Sequence, residues 1–245
     1  MQERYLGDVH DYAKFALLSH LRKKLEVRLG VNWYRTHSSK VDSLGNRDGG
    51  NRRFLDNMDW CRWNPTLSQK LQCFKNEANR TLPNFHASEA LPPDTLFFDE
   101  ELHPGAVRDD WHTKALEKLS GASLIFLDPD NGFEVPSCTR KRMPKYARYT
   151  EAKDHFSGGK IVVGIQFVSK RDPIQRGREV REALTEVTGA ARIPILRVRV
   201  SPNILFLALC HEEKRGDVCE ALSSFVLDAR QLRLKSGEKR VELID

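Results

Sequence analysis

The chain has 245 residues, 40% hydrophobic and 30% charged, with a formal net charge of +6. That balance suits a folded domain and excludes a disordered tract. No apolar run reaches the roughly eighteen residues of a membrane span, and the charged opening MQERYLGDVHDYAKFALLSH lacks an apolar leader, so a cytoplasmic protein is expected. The five cysteines form no CxxC pair, which argues for reduced thiols rather than a zinc site or a disulfide framework.

In chain order, Tyr12, Phe15, Ala16, Leu18, Leu21 and Leu25 recur at helical spacing, with Asp8 or Asp11 as N-cap and Gly30 as the stop. Residues 31–35 predict a strand and 36–40 a polar loop. The stretch 42–53 (DSLGNRDGGNRR) is rich in Gly, Asn and Asp and reads as loop. A mixed segment follows, with Trp60, Trp63, a helix-like run over 67–78 and Pro92-Pro93 at its end. It reads as an insertion, about 40–94, packed on the main sheet of a single domain covering 1–245. Beyond it, strands are predicted at 95–98, 123–127 and 160–167, with helices at 107–119 and 174–187. Strands at 195–200 and 204–210, joined by Ser201-Pro202-Asn203, form an antiparallel hairpin. A helix near 218–227 closes the series. Strands alternating with helices predict an α/β fold with a mostly parallel sheet and helices on both faces.

The segment FLDPDNGF (126–133) directly follows the apolar run Ser123-Leu124-Ile125 and completes the strand predicted at 123–127. A buried strand breaking into Asp-Pro-Asp-Asn-Gly puts two carboxylates and an amide at the carboxyl edge of a sheet, where open α/β sheets bind ligands. Asp128 followed by Pro129 supplies a side-chain acceptor and a rigid backbone carbonyl, which suits orientation of an amine. Asp130 and Asn131 come next, and Phe133 is the aromatic able to stack on a base. Lys145-Tyr146-Ala147-Arg148-Tyr149 interleaves cations with aromatics, the chemistry of phosphate contact plus base stacking. Gln166 ends its strand at the same edge. Further basic residues gather at 140–142 and between Lys170 and Arg181. With the positive net charge they make nucleic acid, RNA or DNA, a plausible partner.

Four segments in order resemble the large-subunit rRNA adenine-N6 methyltransferases: GDVHDYAKFALLSHL, WYRTHSS, EELHP and LIFLDPDNGFEV. The resemblance implies a Rossmann-like, methyltransferase-type fold whose sheet ends in an antiparallel hairpin. It also implies methylation of an adenine amino group from S-adenosyl-L-methionine. In that reading Lys14, His37, Ser38 and Glu101 lie around the methyl donor, with Glu101 on its ribose, and Asp128 to Asn131 form the catalytic loop. The chain departs from the family pattern at Ser38-Ser39-Lys40, which replaces a Gly-rich turn, and at Asp130-Asn131, which replaces Pro-Tyr. Between EELHP and Asp128 there is room for one helix. Two other readings stay open. In one, Asp128, Asp130, Glu134 and Asp99 or Glu101 converge on Mg²⁺ or Mn²⁺ to hydrolyse a phosphodiester. Alternatively, the fold binds nucleic acid without catalysis.

Overall fold

The structure, a computed structural model, describes residues 1–42 and 50–244; the 43–49 portion of the predicted loop lies outside the described residues. Helix α1 spans Val9–Leu25, and Asp8 rather than Asp11 caps it, accepting from the His10 and Asp11 backbone N–H groups at 2.9 and 3.0 Å. The helix ends at Glu26 in the left-handed region (φ 52°), not at Gly30. Gly30 lies inside strand β1 (Leu29–Asn32), where a Cβ would sit 2.9 Å from the Ala122 Cβ. Close packing against Leu119, Ala122 and Ile125, not helix termination, accounts for this glycine.

The remaining strands are β2 (Leu96–Phe98), β3 (Leu124–Leu127), β4 (Gly132–Phe133), β5 (Tyr146–Ala147), β6 (Ile161–Val168), β7 (Ile195–Val198), β8 (Asn203–Leu209) and β9 (Val241–Ile244). Seven of them form one sheet in the order β2-β1-β3-β6-β8-β7-β9, and β4 pairs with β5 alone. Neighbours from β2 to β6 are parallel. The predicted hairpin is β7–β8, and β8 inserts antiparallel between β6 and β7. Strand β9 adds an antiparallel edge beyond β7. Its four residues carry no alternation long enough to be read as a strand.

Four short helices, α2 (Ser38–Val41), α3 (Met58–Trp63), α4 (Pro65–Leu71) and α5 (Leu82–Ser88), fall between β1 and β2. The helix expected over 67–78 is α4 followed by a 3₁₀ turn over Gln72–Lys75. Asn64 caps α4 with Pro65 in its first turn, and Asn76 starts a new cap. Apolar residues of this segment, including Phe54, Trp60, Leu71 and Phe85, share a core with α1, the sheet and α9 (Glu212–Asp228). The Tyr12 hydroxyl ties α1 to it by donating to the Trp60 carbonyl at 2.7 Å. The opposite face is covered by α6 (Arg108–Lys118), α7 (Tyr149–Ser157) and α8 (Pro173–Thr188). Helices thus lie on both faces, and each face buries its own apolar layer.

This topology positions the site. From β1 the sheet extends one way to β2 and the other way to β3 and β6, with α6 as the helix between β2 and β3. The carboxyl ends of β1 and β3 flank that reversal, the place where open α/β sheets form a ligand crevice. Among the described residues no helix is long and apolar enough to cross a membrane.

Candidate functional site

Asp128 leaves β3 with its N–H donating to the Asn32 carbonyl of β1 at 2.9 Å. Its side chain is almost fully buried, and both carboxylate oxygens accept from Lys14 Nζ at 3.0 Å. The same ammonium lies 2.6 Å from Asp11 Oδ1, one helical turn earlier on α1. Two buried carboxylates therefore share one cation. Burial raises the Asp128 carboxyl above its ordinary range, with Lys14 pulling the other way. Burial pushes Asp11 up to about 6, against the attraction of Lys14 and with the charges of Asp8 and Asp128 adding to the rise. Burial disfavours the Lys14 ammonium, but Asp11 and Asp128 more than offset it, so the lysine stays charged. Beside them His10 sits 3.3 Å from Asp8 Oδ2 and 3.1 Å from the Pro202 carbonyl. Burial opposes the charge on both partners, yet their pairing holds Asp8 below and His10 above their ordinary values.

This arrangement has a pH signature. An aspartate whose folded pKa lies above its unfolded value takes up a proton on folding, so its contribution to stability falls as pH rises through that interval. For Asp11 the interval runs from 3.8 to about 6, worth about 3 kcal/mol. The Asp8 window lies below it and the His10 window above it. Urea midpoints measured between about pH 4 and 6 should fall less steeply for Asp11→Asn than for the parent chain. An equal slope in both would remove Asp11 as the source.

The loop after Asp128 is held from several sides. Asp130 accepts from Thr36 Oγ1 at 2.8 Å and from Gln2 Nε2 at 3.0 Å, and the Met1 amine lies 3.1 Å away. Asn131 donates its N–H to the Lys145 carbonyl at 2.9 Å. Gln166 acts as a bracket: its Nε2 donates to the Asn131 carbonyl, while its Oε1 accepts from the Phe133 N–H and from Arg176 Nη2, each at 3.1 Å. Gly132 (φ 103°) passes so close that a Cβ there would lie 2.6 Å from the Gln166 amide, which makes glycine obligatory. Phe133 is fully buried, stacked on Tyr149 with centroids 5.2 Å apart, and packed against Gly164.

Lys14, Asp128, Pro129, Asp130, Asn131 and Lys145 all line one cleft of about 490 Å³, a size suited to a small ligand or a nucleobase. Asp8, His10, Phe167 and Pro202 complete its walls. Phe167 at the end of β6 is half-buried and meets His10 edge-on at 5.3 Å. The β6 pattern placed Gln166 and Phe167 together at the strand end, but which of them reaches the cleft depends on Gln166 being spent on the loop.

Lys145 reaches the cleft from a separate segment, and the other residues singled out from the sequence lie elsewhere. Lys145 Nζ pairs with Asp42 at 2.6 Å. Tyr146 offers its carbonyl to Arg108 Nη2 at 2.8 Å, and Arg148 pairs with Asp109 at 2.9 Å. His37, Ser38 and Glu101 gather at the carboxyl ends of β1 and β2. There His37 is exposed with Nδ1 2.8 Å from Ser39 Oγ, Ser38 opens α2, and Glu101 accepts from Lys40 Nζ at 2.8 Å. The Lys40 hydrogen bond holds the Glu101 carboxyl below its usual range. The carboxylates considered for a metal have separate partners: Asp128 has Lys14, Asp130 has Thr36 and Gln2, Glu134 accepts from the Tyr149 N–H, and Glu101 has Lys40. Among the described residues no group of three or more His, Cys, Asp or Glu is arranged to hold a metal ion.

Tyr34 was not legible as a site residue. It follows β1 at φ 43°, a backbone conformation costly for a bulky side chain, and is fully buried. Its hydroxyl donates to Glu151 Oε2 at 2.9 Å, and Glu151 in turn takes Arg108 Nε and Nη2 at 2.5 and 2.8 Å. Nothing local in WYRTHSS signals a left-handed tyrosine, because the contacts that enforce it come from α6 and α7.

Fold and site together define an α/β protein with a ligand-sized cleft at the carboxyl edge of its sheet, walled in part by a buried lysine–aspartate pair. No family model matches the chain, and no curated protein matches it in sequence.

Proposed function

We propose that the chain is a cytoplasmic, S-adenosylmethionine-dependent methyltransferase of Rossmann-like type that modifies the amino group of a nucleic-acid base, adenine foremost. The observation that carries this reading is the 3.0 Å contact between Lys14 and Asp128, 114 residues apart. These are the lysine and aspartate positions of two separate segments that resemble the rRNA adenine methyltransferases, and both line the cleft.

The edge at His37, Ser38 and Glu101 has the donor chemistry that fits such a cofactor: a carboxylate for ribose hydroxyls, with an imidazole and a hydroxyl beside it. When bound, S-adenosylmethionine supplies an electrophilic methyl group. The chain's own part is orientation. Lys14 pins the Asp128 carboxylate, whose remaining lone pairs accept a proton of the incoming amine. Pro129 stiffens the backbone beside it. Phe167, rather than the buried Phe133, presents an aromatic ring for the base to stack against.

Two measurements test this. Calorimetric titration with S-adenosylmethionine should show saturable binding, and its absence overturns the reading. Asp128→Asn keeps the shape of the side chain and leaves Lys14 paired with Asp11. It should lower methyl transfer to RNA or DNA about a hundredfold while donor affinity stays within about twofold. Full activity in Asp128→Asn would remove Asp128 from the mechanism.

A further inference from the structure

The Arg108 guanidinium is held by Glu151 through Nε and Nη2, and its side chain is only 8% exposed, yet Nη1 is buried without a hydrogen-bond partner. A buried charged donor left unsatisfied is costly and rare in native folds. Arg108 lines a cavity of about 280 Å³ between the EELHP segment and the loop before α7, together with His103, Arg140, Arg148 and Pro144. Arg148 meets its partner Asp109 at the surface, where the Asp109 side chain is 90% exposed. Arg140 is exposed and makes no hydrogen bond or ion pair among the described residues. The start of α6 adds the positive end of a helix dipole.

Three arginines lining one small cavity offer the planar, multidentate chemistry by which arginine holds phosphate oxygens. The volume falls just under the roughly 300–1,000 Å³ typical of whole-ligand sites, so it suits a single group rather than an entire nucleotide. We propose that this cavity binds a phosphate group, with Arg108 Nη1, Arg140 and Arg148 as donors and Asp109 giving up Arg148 to it. The proposal stands on this cavity and not on methyl transfer, and phosphate binding is read without any methyl donor.

A phosphate of this kind comes from a polynucleotide backbone or from a free nucleotide. The test is calorimetric titration of the full chain with inorganic phosphate, with AMP and with a single-stranded RNA oligonucleotide. Arg140→Ala and Arg148→Ala, both surface changes, should each weaken binding about tenfold, while Arg230→Ala, remote on the α9 side, should leave it unchanged. Binding of inorganic phosphate and AMP alone assigns the site to free nucleotides. Binding of the oligonucleotide in competition with phosphate assigns it to the backbone. No saturable binding of any probe, or equal affinity in the parent and Arg140→Ala, overturns the proposal, as does equal weakening by Arg230→Ala.

Discussion

Lys14→Met should destabilise the chain by about 3–5 kcal/mol, the cost of stripping the cation from a buried ion pair. The reason is specific to this site. Lys14 neutralises Asp128 at 3.0 Å and Asp11 at 2.6 Å, and methionine fills the same volume without charge. Two buried carboxylates would then face each other, and both are already raised by burial with the lysine present. The loss should be smaller near pH 5 than near pH 7.5, because the orphaned acids can take up protons at the lower pH. Adding Asp128→Asn to Lys14→Met removes one of the uncompensated charges and should restore at least about 1 kcal/mol, a coupling read from a double-mutant cycle in urea. A Lys14→Met protein within about 1 kcal/mol of the parent at neutral pH would contradict this account of the network.

Glu151→Ala should cost about as much, roughly 3–5 kcal/mol. The Glu151 carboxylate accepts from Arg108 Nε and Nη2, from the Tyr34 hydroxyl and from the Arg148 N–H at the start of α7. It is buried, and burial alone would raise its pKa, but Arg108 holds it below the usual carboxylate range. Alanine would leave a buried guanidinium with the Tyr146 carbonyl as its hydrogen-bond acceptor. It would also free Tyr34 from the hydroxyl contact that helps hold it at φ 43°, flanked by Arg108 at 5.4 Å and Trp111 at 5.1 Å. Glu151→Gln, which keeps an acceptor oxygen, should cost less. The double variant Arg108→Met with Glu151→Ala should cost less than the sum of the two single changes, because it removes both charges together. Additive losses, or a Glu151→Ala protein as stable as the parent, would show that the pair is not coupled as its geometry implies.

The two networks bracket the same strand ends. Lys14 and Asp128 work on the α1 side of β3, while Glu151, Arg108 and Tyr34 work on the α6–α7 side of β1. Their placement braces the carboxyl ends of β1 and β3 from both faces of the sheet.

The elements were legible wherever hydrophobic periodicity was long enough to report burial. The helix capped at Asp8, the apolar strand before Asp128, the strand carrying Gln166 near its end, and the β7–β8 hairpin all fell close to their predicted places. The Asp-Pro-Asp-Asn-Gly break also marked the edge at which the cleft opens. Strand order was not legible, because a strand's own residues do not encode which neighbour it takes across the sheet. The insertion of β8 between β6 and β7 and the added edge strand β9 are decisions of the assembled sheet. The same limit applied to individual residues. Phe133 and Phe167 look alike as aromatics near strand ends, yet Gln166 anchors the loop so that Phe133 enters the core and Phe167 faces the cleft. Lys14 and Asp128 are separated by 114 residues, and only the packing of α1 against the end of β3 makes them a pair. Sequence alone determined which segments would be buried, where they would break and what chemistry the breaks would carry, because those follow from local polarity and period. Tertiary structure decided which side chains meet, which carboxylates are spent on neighbours and which remain on the cleft, because those depend on contacts between segments far apart in the chain.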